Sequence, residues 1–215
     1  MTKALRIDFV SDVVCPWCVI GLKALQAAIA NAGDVLTADI HFQPFELNPD
    51  MAPEGENVAE HIARKYGADP ARSEGTRDLI RSSAADLGFT MATTRDSRIW
   101  NTFDCHRLLH WAALQGRQPQ LKMALFTTHF TDQKSLADPE VLIAAAVVAG
   151  LDGDAARQIL ASGAYIDAVR QDELHWREQG INAVPAIVIE GKYLISGGQP
   201  VAAFEKALRS IAAEA

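Results

Sequence analysis

The stretch Leu5-Arg6-Ile7-Asp8-Phe9-Val10-Ser11-Asp12-Val13-Val14-Cys15-Pro16-Trp17-Cys18-Val19-Ile20 decides the fold. Its first part alternates Leu5, Ile7 and Phe9 with Arg6 and Asp8, the period-two signature of a strand. After Cys15 the apolar residues Val19, Ile20, Leu22, Leu25 and Ile29 recur at three- and four-residue steps, and Asn31-Ala32-Gly33 supplies a glycine stop. That is a helix, and Pro16 pre-sets φ for its first turn. Leu36 to Phe42 reads as a second strand closed by Pro44. The chain therefore begins strand–helix–strand, with a C-x-x-C where the first strand meets its helix.

The C-terminal end has a different pattern. Ala186-Ile187-Val188-Ile189 is a β-branched run, Glu190-Gly191-Lys192 a short turn, and Tyr193-Leu194-Ile195 a partner strand. Ser196-Gly197-Gly198-Gln199-Pro200 then opens a last helix with Val201, Phe204, Leu208 and Ile211 on one face. Between the two ends no convincing strand is found. Helices are expected at Val58/Ile62/Tyr66 before Gly67, Pro70 to Leu87, Trp100 to Leu114, Leu121 to Phe130, Pro139 to Val148 and Tyr165 to Gln179. Asp69-Pro70 and Asp138-Pro139 read as an N-cap followed by a first helical residue. The expected fold class is α/β: a βαβ unit and a ββα unit (residues 1–50 and 181–215) split by a large all-helical insertion (51–180).

Composition narrows the partners. Of 215 residues, 20 are basic and 27 acidic, for a net charge of −7 with no basic stripe, so neither nucleic acid nor an anionic membrane is an expected partner. The longest apolar run, Val141 to Gly150, is too short to span a bilayer and reads as a buried helix. No signal-peptide pattern follows the basic residues near Met1, and the expected location is cytoplasmic. Three cysteines, Cys15, Cys18 and Cys105, exclude a disulfide framework. In a reducing compartment, a C-x-x-C points to redox chemistry or to half of a metal site. No second C-x-x-C completes a zinc site, so no metal is expected.

At a helix start, free N–H groups and the positive end of the dipole favour thiolate over thiol. Cys15 is thus the expected exposed nucleophile and Cys18, one turn in, the resolving thiol. Pro16 and Trp17 flank the sulfurs, and Trp17 is expected at the surface as apolar area for a substrate. Asp8 and Asp12 each have two readings: a half-buried carboxylate able to take the Cys18 proton, or a solvated group (Asp8) and a turn cap (Asp12). Cys105 reads as a packed, inert thiol. His106 and His110 are four apart on one helix and read as packing or hydrogen-bonding groups, and His41 as solvated. Val184-Pro185 precedes an apolar strand and, on pattern alone, is an ordinary trans strand start. Ser196 and Gln199 lie before a helix N-terminus, either as a carboxylate site or as a plain cap.

Taken together, Ser11-Asp12-Val13-Val14-Cys15-Pro16-Trp17-Cys18, Pro44-Phe45-Glu46-Leu47-Asn48-Pro49-Asp50-Met51, Asn101-Thr102-Phe103-Asp104 with His106-Arg107-Leu108, Val184-Pro185 and Ser196-Gly197-Gly198-Gln199-Pro200 resemble the DsbA branch of the thioredoxin superfamily, specifically its FrnE-like members. The resemblance implies a thioredoxin fold with a helical insertion, a cis Val184-Pro185 bond facing Cys15, and disulfide exchange with protein or low-molecular-weight thiols. No bound cofactor is implied; glutathione is a candidate co-substrate, its γ-glutamyl end held by the loop of Ser196 and Gln199. The chain departs from the pattern at Cys105, where alanine is usual, and at Ala183 and Ala186, where glycine and threonine are frequent. The alternative in the same branch is a glutathione-dependent enzyme resembling 2-hydroxychromene-2-carboxylate isomerase or the kappa-class glutathione transferases. Those proteins typically carry serine in place of Cys15 and lack the second cysteine, so the pair Cys15/Cys18 favours redox chemistry.

Overall fold

The computed structural model describes residues 2–67 and 70–214. Strand β1 (Lys3–Ser11) feeds helix α1 (Pro16–Asn31), which returns to β2 (Leu36–Pro44). β2 lies parallel to β1, with Leu5 opposite Ala38 and Phe9 opposite Phe42. Next come β3 (Glu56–Asn57), α2 (Val58–Tyr66), α3 (Pro70–Asp86), β4 (Arg98–Ile99), α4 (Phe103–Leu114) and α5 (Gln118–Phe126). α5 runs into one π-helical turn, Thr127–Thr131, followed by α6 (Pro139–Val148), α7 (Gly153–Ala161) and α8 (Ile166–Glu178). The chain closes with β5 (Ala186–Ile189), β6 (Tyr193–Ser196) and α9 (Val201–Glu214). The main sheet has the order β2-β1-β5-β6, with β5 antiparallel to β1 and β6 antiparallel to β5.

One apolar core joins the sheet to α1 and α9: Leu5, Ile7, Phe9, Leu22, Leu25, Ile187, Phe204 and Leu208 are all buried in it. α4, α5 and α8 pack against β2. A second core lies among the inserted helices, where Leu108, Leu121, Leu125, Leu142 and Ala146 are buried together. Val13 and Val14, the two residues before Cys15, are buried in that second core. The segment leading into the C-x-x-C is thus clamped between the two halves.

Several elements differ from expectation. α7 has no counterpart in the sequence reading: only Ala156 and Ile159 are buried along it, too few to show a period, and it starts because Asp152 accepts from the Ala155 N–H at 2.7 Å. β3 and β4 pair over two residues each, too short for any alternation. α4 starts at Phe103 rather than Trp100, because the Asn101 side chain accepts the Phe103 N–H at 2.9 Å and closes a turn ahead of it. α1 ends on Ala32 and not on a glycine; the Ala32 N–H reaches back to the Ala28 carbonyl. α6 begins as expected, with Asp138 capping Glu140 at 2.9 Å, but its Val147 and Val148 face solvent. The Asp69 cap lies outside the described residues. Among the described residues no helix is long and apolar enough to cross a membrane.

Candidate active site

Cys15 is the N-cap of α1 and Pro16 its first helical residue. The Cys18 N–H donates to the Cys15 carbonyl at 3.0 Å, the first turn closing across the motif. Both cysteines are free thiols. Cys15 is not exposed as expected: only 4% of its surface is accessible. The cause is the loop before β5. There Val184–Pro185 is a cis bond, and the Cys15 Sγ–H donates to the Val184 carbonyl at 3.7 Å. Trp17 is half-buried against the sheet core rather than at the surface. Cys18 is fully buried. Burial pushes its thiol well above its ordinary range, and the adjacent Cys15 adds to that.

Two glycines make this packing possible. A Cβ on Gly21 would lie 3.2 Å from Gly198 Cα and 3.3 Å from Pro185 Cγ; a Cβ on Gly198 would lie 3.1 Å from the Trp17 carbonyl. The loop Ser196-Gly197-Gly198-Gln199-Pro200 therefore presses directly on α1, and the Gly197 N–H donates to the Pro185 carbonyl at 2.8 Å. Within that loop the Gln199 amide donates to the Ser196 carbonyl at 2.8 Å, so part of its hydrogen-bonding capacity is spent internally. Ser196 is exposed.

The two aspartates separate clearly. Asp8 is buried, not solvated, and its carboxylate is taken by Arg6 at 2.8 and 3.0 Å and by Gln43 at 2.6 Å. Asp12 is fully buried beneath the motif, its backbone carbonyl accepting the Cys15 N–H at 3.2 Å. Its Oδ2 accepts the Leu47 N–H at 2.8 Å, and its Oδ1 lies 3.5 Å from His106 Nε2. Burial pushes the Asp12 carboxyl up, but the nearby His106 imidazole, with Leu47 and Thr102, outweighs it and holds the group below its ordinary value. The Oδ2 bond ties the Leu47 segment to the site, while Oδ1 makes no hydrogen bond among the described residues.

The run Pro44-Phe45-Glu46-Leu47-Asn48 acquires a structural reason beyond Leu47. Glu46 is buried and bonded to Arg170 of α8, which also binds Glu173 at 2.7 Å and stacks 3.7 Å above the Phe103 ring. Cys105 is fully buried, and burial, with Asp12 and Asp104 adding to it, pushes its thiol up. His41 is half-exposed and bonded to Asp39 at 2.8 Å; His110 lies 3.4 Å from Asp172. Among the described residues no group of three or more His, Cys, Asp or Glu is arranged to hold a metal ion.

One residue escaped the sequence reading altogether. Lys122 of α5 is fully buried, and its Nζ has no hydrogen-bond partner among the described residues. The signal was there: Lys122 shares a helix face with the apolar Phe126, four residues on. Gly21 and Gly198 were likewise not singled out for a close approach of backbones.

The DSBA-like thioredoxin domain model matches residues 6–209. The chain belongs to the DsbA-like thioredoxin family. A probable DsbA oxidoreductase of Streptomyces coelicolor is 35% identical and superposes with a TM-score of 0.89, over 96% of this chain and 89% of that one. The uncharacterized protein YwbO of Bacillus subtilis (strain 168) is 28% identical over 205 residues, 95% of this chain and 96% of that protein. The cytosolic disulfide reductase DsbM of Pseudomonas aeruginosa shares the fold at 15% identity, with a TM-score of 0.67 over 98% of this chain and all of its own. Both halves of the DsbA-like fold expected from the sequence, the sheet unit and the helical insertion, are present.

Proposed function

We propose that this chain is a thiol–disulfide oxidoreductase whose working groups are Cys15 and Cys18. Its substrates are disulfides or thiols of proteins or of low-molecular-weight compounds, with glutathione as candidate co-substrate and no bound cofactor. The observation that carries the reading is the contact of Cys15 Sγ, at the start of α1, with the Val184 carbonyl of the Pro185 loop. A nucleophilic sulfur at a helix N-terminus beside the backbone of the Pro185 loop suits a substrate that docks as an extended segment. The Cys15 thiolate attacks one sulfur of a substrate disulfide, forming a mixed disulfide and expelling the other sulfur as thiolate. Cys18, as thiolate, then attacks Cys15 Sγ; the Cys15–Cys18 bond forms, the mixed bond breaks, and the second substrate sulfur leaves reduced. Two electrons pass from the cysteine pair to the substrate, and the reverse sequence oxidises a dithiol. Pro16 and Trp17 border the incoming segment, and Ser196 and Gln199, in the loop bonded to the Pro185 carbonyl through Gly197, are the candidate holders of a carboxylate such as that of glutathione. We place the activity in the cytoplasm, where a dithiol of this kind is kept reduced.

The test is a glutathione-coupled turnover assay with mass analysis. Cys18→Ala should accumulate a covalent adduct on Cys15, while Cys105→Ala should turn over within about threefold of the parent, since its buried thiol has no path to the substrate. A 2-hydroxychromene-2-carboxylate isomerisation assay runs beside it. If the parent shows no disulfide turnover, and Cys15→Ser and Cys18→Ala isomerise as well as the parent, the isomerase reading replaces this one.

A further inference from the structure

Resolution of the mixed disulfide needs Cys18 as a thiolate, and Cys18 is fully buried. Its proton must pass to a neighbouring group, and the structure offers few. Asp12 has its Oδ2 committed to the Leu47 N–H, while its Oδ1 lies 3.5 Å from His106 Nε2 without a hydrogen bond among the described residues. Asp8 is saturated by Arg6 and Gln43. Cys105 is itself a buried thiol.

Lys122 differs from these in chemistry: as a neutral amine it is a stronger base than the Asp12 carboxylate, which is held below its ordinary value. It reaches in from α5 with its Nζ 5.1 Å from the Phe126 ring centre and 5.9 Å from that of Phe42, two rings of the same apolar core that holds Cys15 and Cys18. The Nζ is close enough for its charge to bear on both active-site thiols, as well as on Asp12 and Cys105. It is completely enclosed and has no hydrogen-bond partner among the described residues. On its outer side Lys122 lines a cavity of about 270 Å³ shared with His106, His110, His41 and Asp172. That volume has room for several waters. The last three of these residues stand at its partly exposed rim.

Resting on the redox reading above, we propose that Lys122 is the proton acceptor for Cys18, and that the cavity between β2, α4 and α5 is the route by which that proton leaves. The neutral Lys122 amine takes the proton from the Cys18 thiol through one intervening water, since no hydrogen bond joins the two directly, giving a thiolate–ammonium pair. The thiolate attacks Cys15 Sγ, the bond between Cys15 and the substrate breaks, and the substrate sulfur departs as a thiolate that solvent protonates. Lys122 then releases its proton through the cavity waters; in the reverse direction, when a substrate dithiol is oxidised, it returns the proton to Cys18. Burial supports the assignment on both sides. It pushes the Lys122 ammonium down, towards the neutral amine that accepts a proton, while it pushes the Cys18 thiol up, so that an acceptor is required. The charged or titratable groups facing Lys122 are Cys15, Cys18, Asp12 and Cys105, and in the cavity His106, His110, His41 and Asp172.

The experiment separates the two chemical steps by stopped flow, following Trp17 fluorescence and released substrate thiol, in the parent, Lys122→Met and Lys122→Gln. Attack by Cys15 should stay within about threefold of the parent, whereas resolution at neutral pH should fall about 100-fold, the usual size of a lost general base. Its rate should then climb with pH beyond the point at which the parent levels off. Removing an unpaired buried amine should leave the methionine variant folding at least as stably as the parent, and the glutamine variant serves where methionine packs badly. If the parent turns over and both variants resolve at its rate with its pH profile, the Lys122 assignment is wrong while the redox reading stands. If the parent never forms a mixed disulfide, the redox reading fails. Lys122 is then judged by titrating the Cys18 thiolate by its ultraviolet absorbance in a Cys15→Ser, Cys105→Ala background. An upward shift of the midpoint on Lys122→Met upholds the coupling, and no shift overturns it.

Discussion

His129 offers a measurement that tests the buried electrostatics without reference to activity. It lies on the π-helical turn after α5, 6% exposed, its ring edge-on to Phe130 at 4.5 Å. Burial pushes its imidazole down to about 4, from an ordinary 6.5, with distant Asp12 opposing weakly. Above 6.5 both the folded and the unfolded chain hold the ring neutral, and the group costs nothing. As pH falls through 6.5 the unfolded chain takes up a proton that the folded chain refuses, so stability is lost until about pH 4, where the folded ring also protonates. The gap amounts to ~3 kcal/mol when complete, and ~2 kcal/mol of it falls between pH 7 and pH 5. Other groups titrate in the same window, some with the opposite sign: Glu46 is raised by burial and by Glu173, against Arg170, so its share of stability is lost as pH rises. The comparison that isolates the ring is therefore parent against His129→Phe, each unfolded in urea at both pH values. With a urea slope of about 2 kcal/mol per molar, the parent's midpoint should drop about 1 M further than the variant's on acidification. If the two midpoints fall in parallel, the ring is not held neutral by burial, and the argument fails.

Two further changes probe the packing around the site. Arg170→Met removes the partner of two buried carboxylates, Glu46 and Glu173, and should cost about 2 kcal/mol in urea unfolding, less than a fully buried pair because the guanidinium is nearly half exposed; an unchanged midpoint would show that the cluster carries no stability. Gly198→Ala puts a methyl 3.1 Å from the Trp17 carbonyl and 3.5 Å from the Gly21 backbone, contacts that no side-chain rotation relieves; it should lower stability by about 1–2 kcal/mol and slow disulfide turnover several-fold, and a variant as stable and active as the parent would show the loop free to move off α1.

The strand–helix–strand start and the hairpin–helix end were legible because each face pattern is long and its punctuation is local. Pro16 and Gly191 do their work within one turn of where they stand. The six helices read in the insertion were found for the same reason, and α7 was missed because its buried face shrinks to Ala156 and Ile159. The cysteine pair was legible from spacing alone as two thiols brought together at the start of α1. Its burial was not, since the cover comes from Val184, 169 residues away. Asp8 shows the same limit: period two puts it on the polar face of β1, and only the sheet order reveals that Arg6 and Gln43 close over it. Lys122 was hidden by residue type, since a lysine on a helix reads as solvated until the tertiary packing encloses it.

The polar groups behind the two sulfurs come from both halves of the chain. Asp12 and Leu47 belong to the segments that leave the ends of β1 and β2, while His106 and Cys105 stand on α4 and Lys122 on α5. Val13 and Val14, buried in the helical core, fix the C-x-x-C against that same pair of helices. The insertion is therefore more than a cover over the sheet: it forms the floor on which Cys18 rests. The sheet half carries the two sulfurs and the Val184 carbonyl. Of the insertion's side chains, Lys122 bears on the Cys18 thiol, opposing the push from burial and Cys15. A change in α4 or α5 that leaves every residue of the C-P-W-C run untouched should thus alter the second step of exchange more than the first.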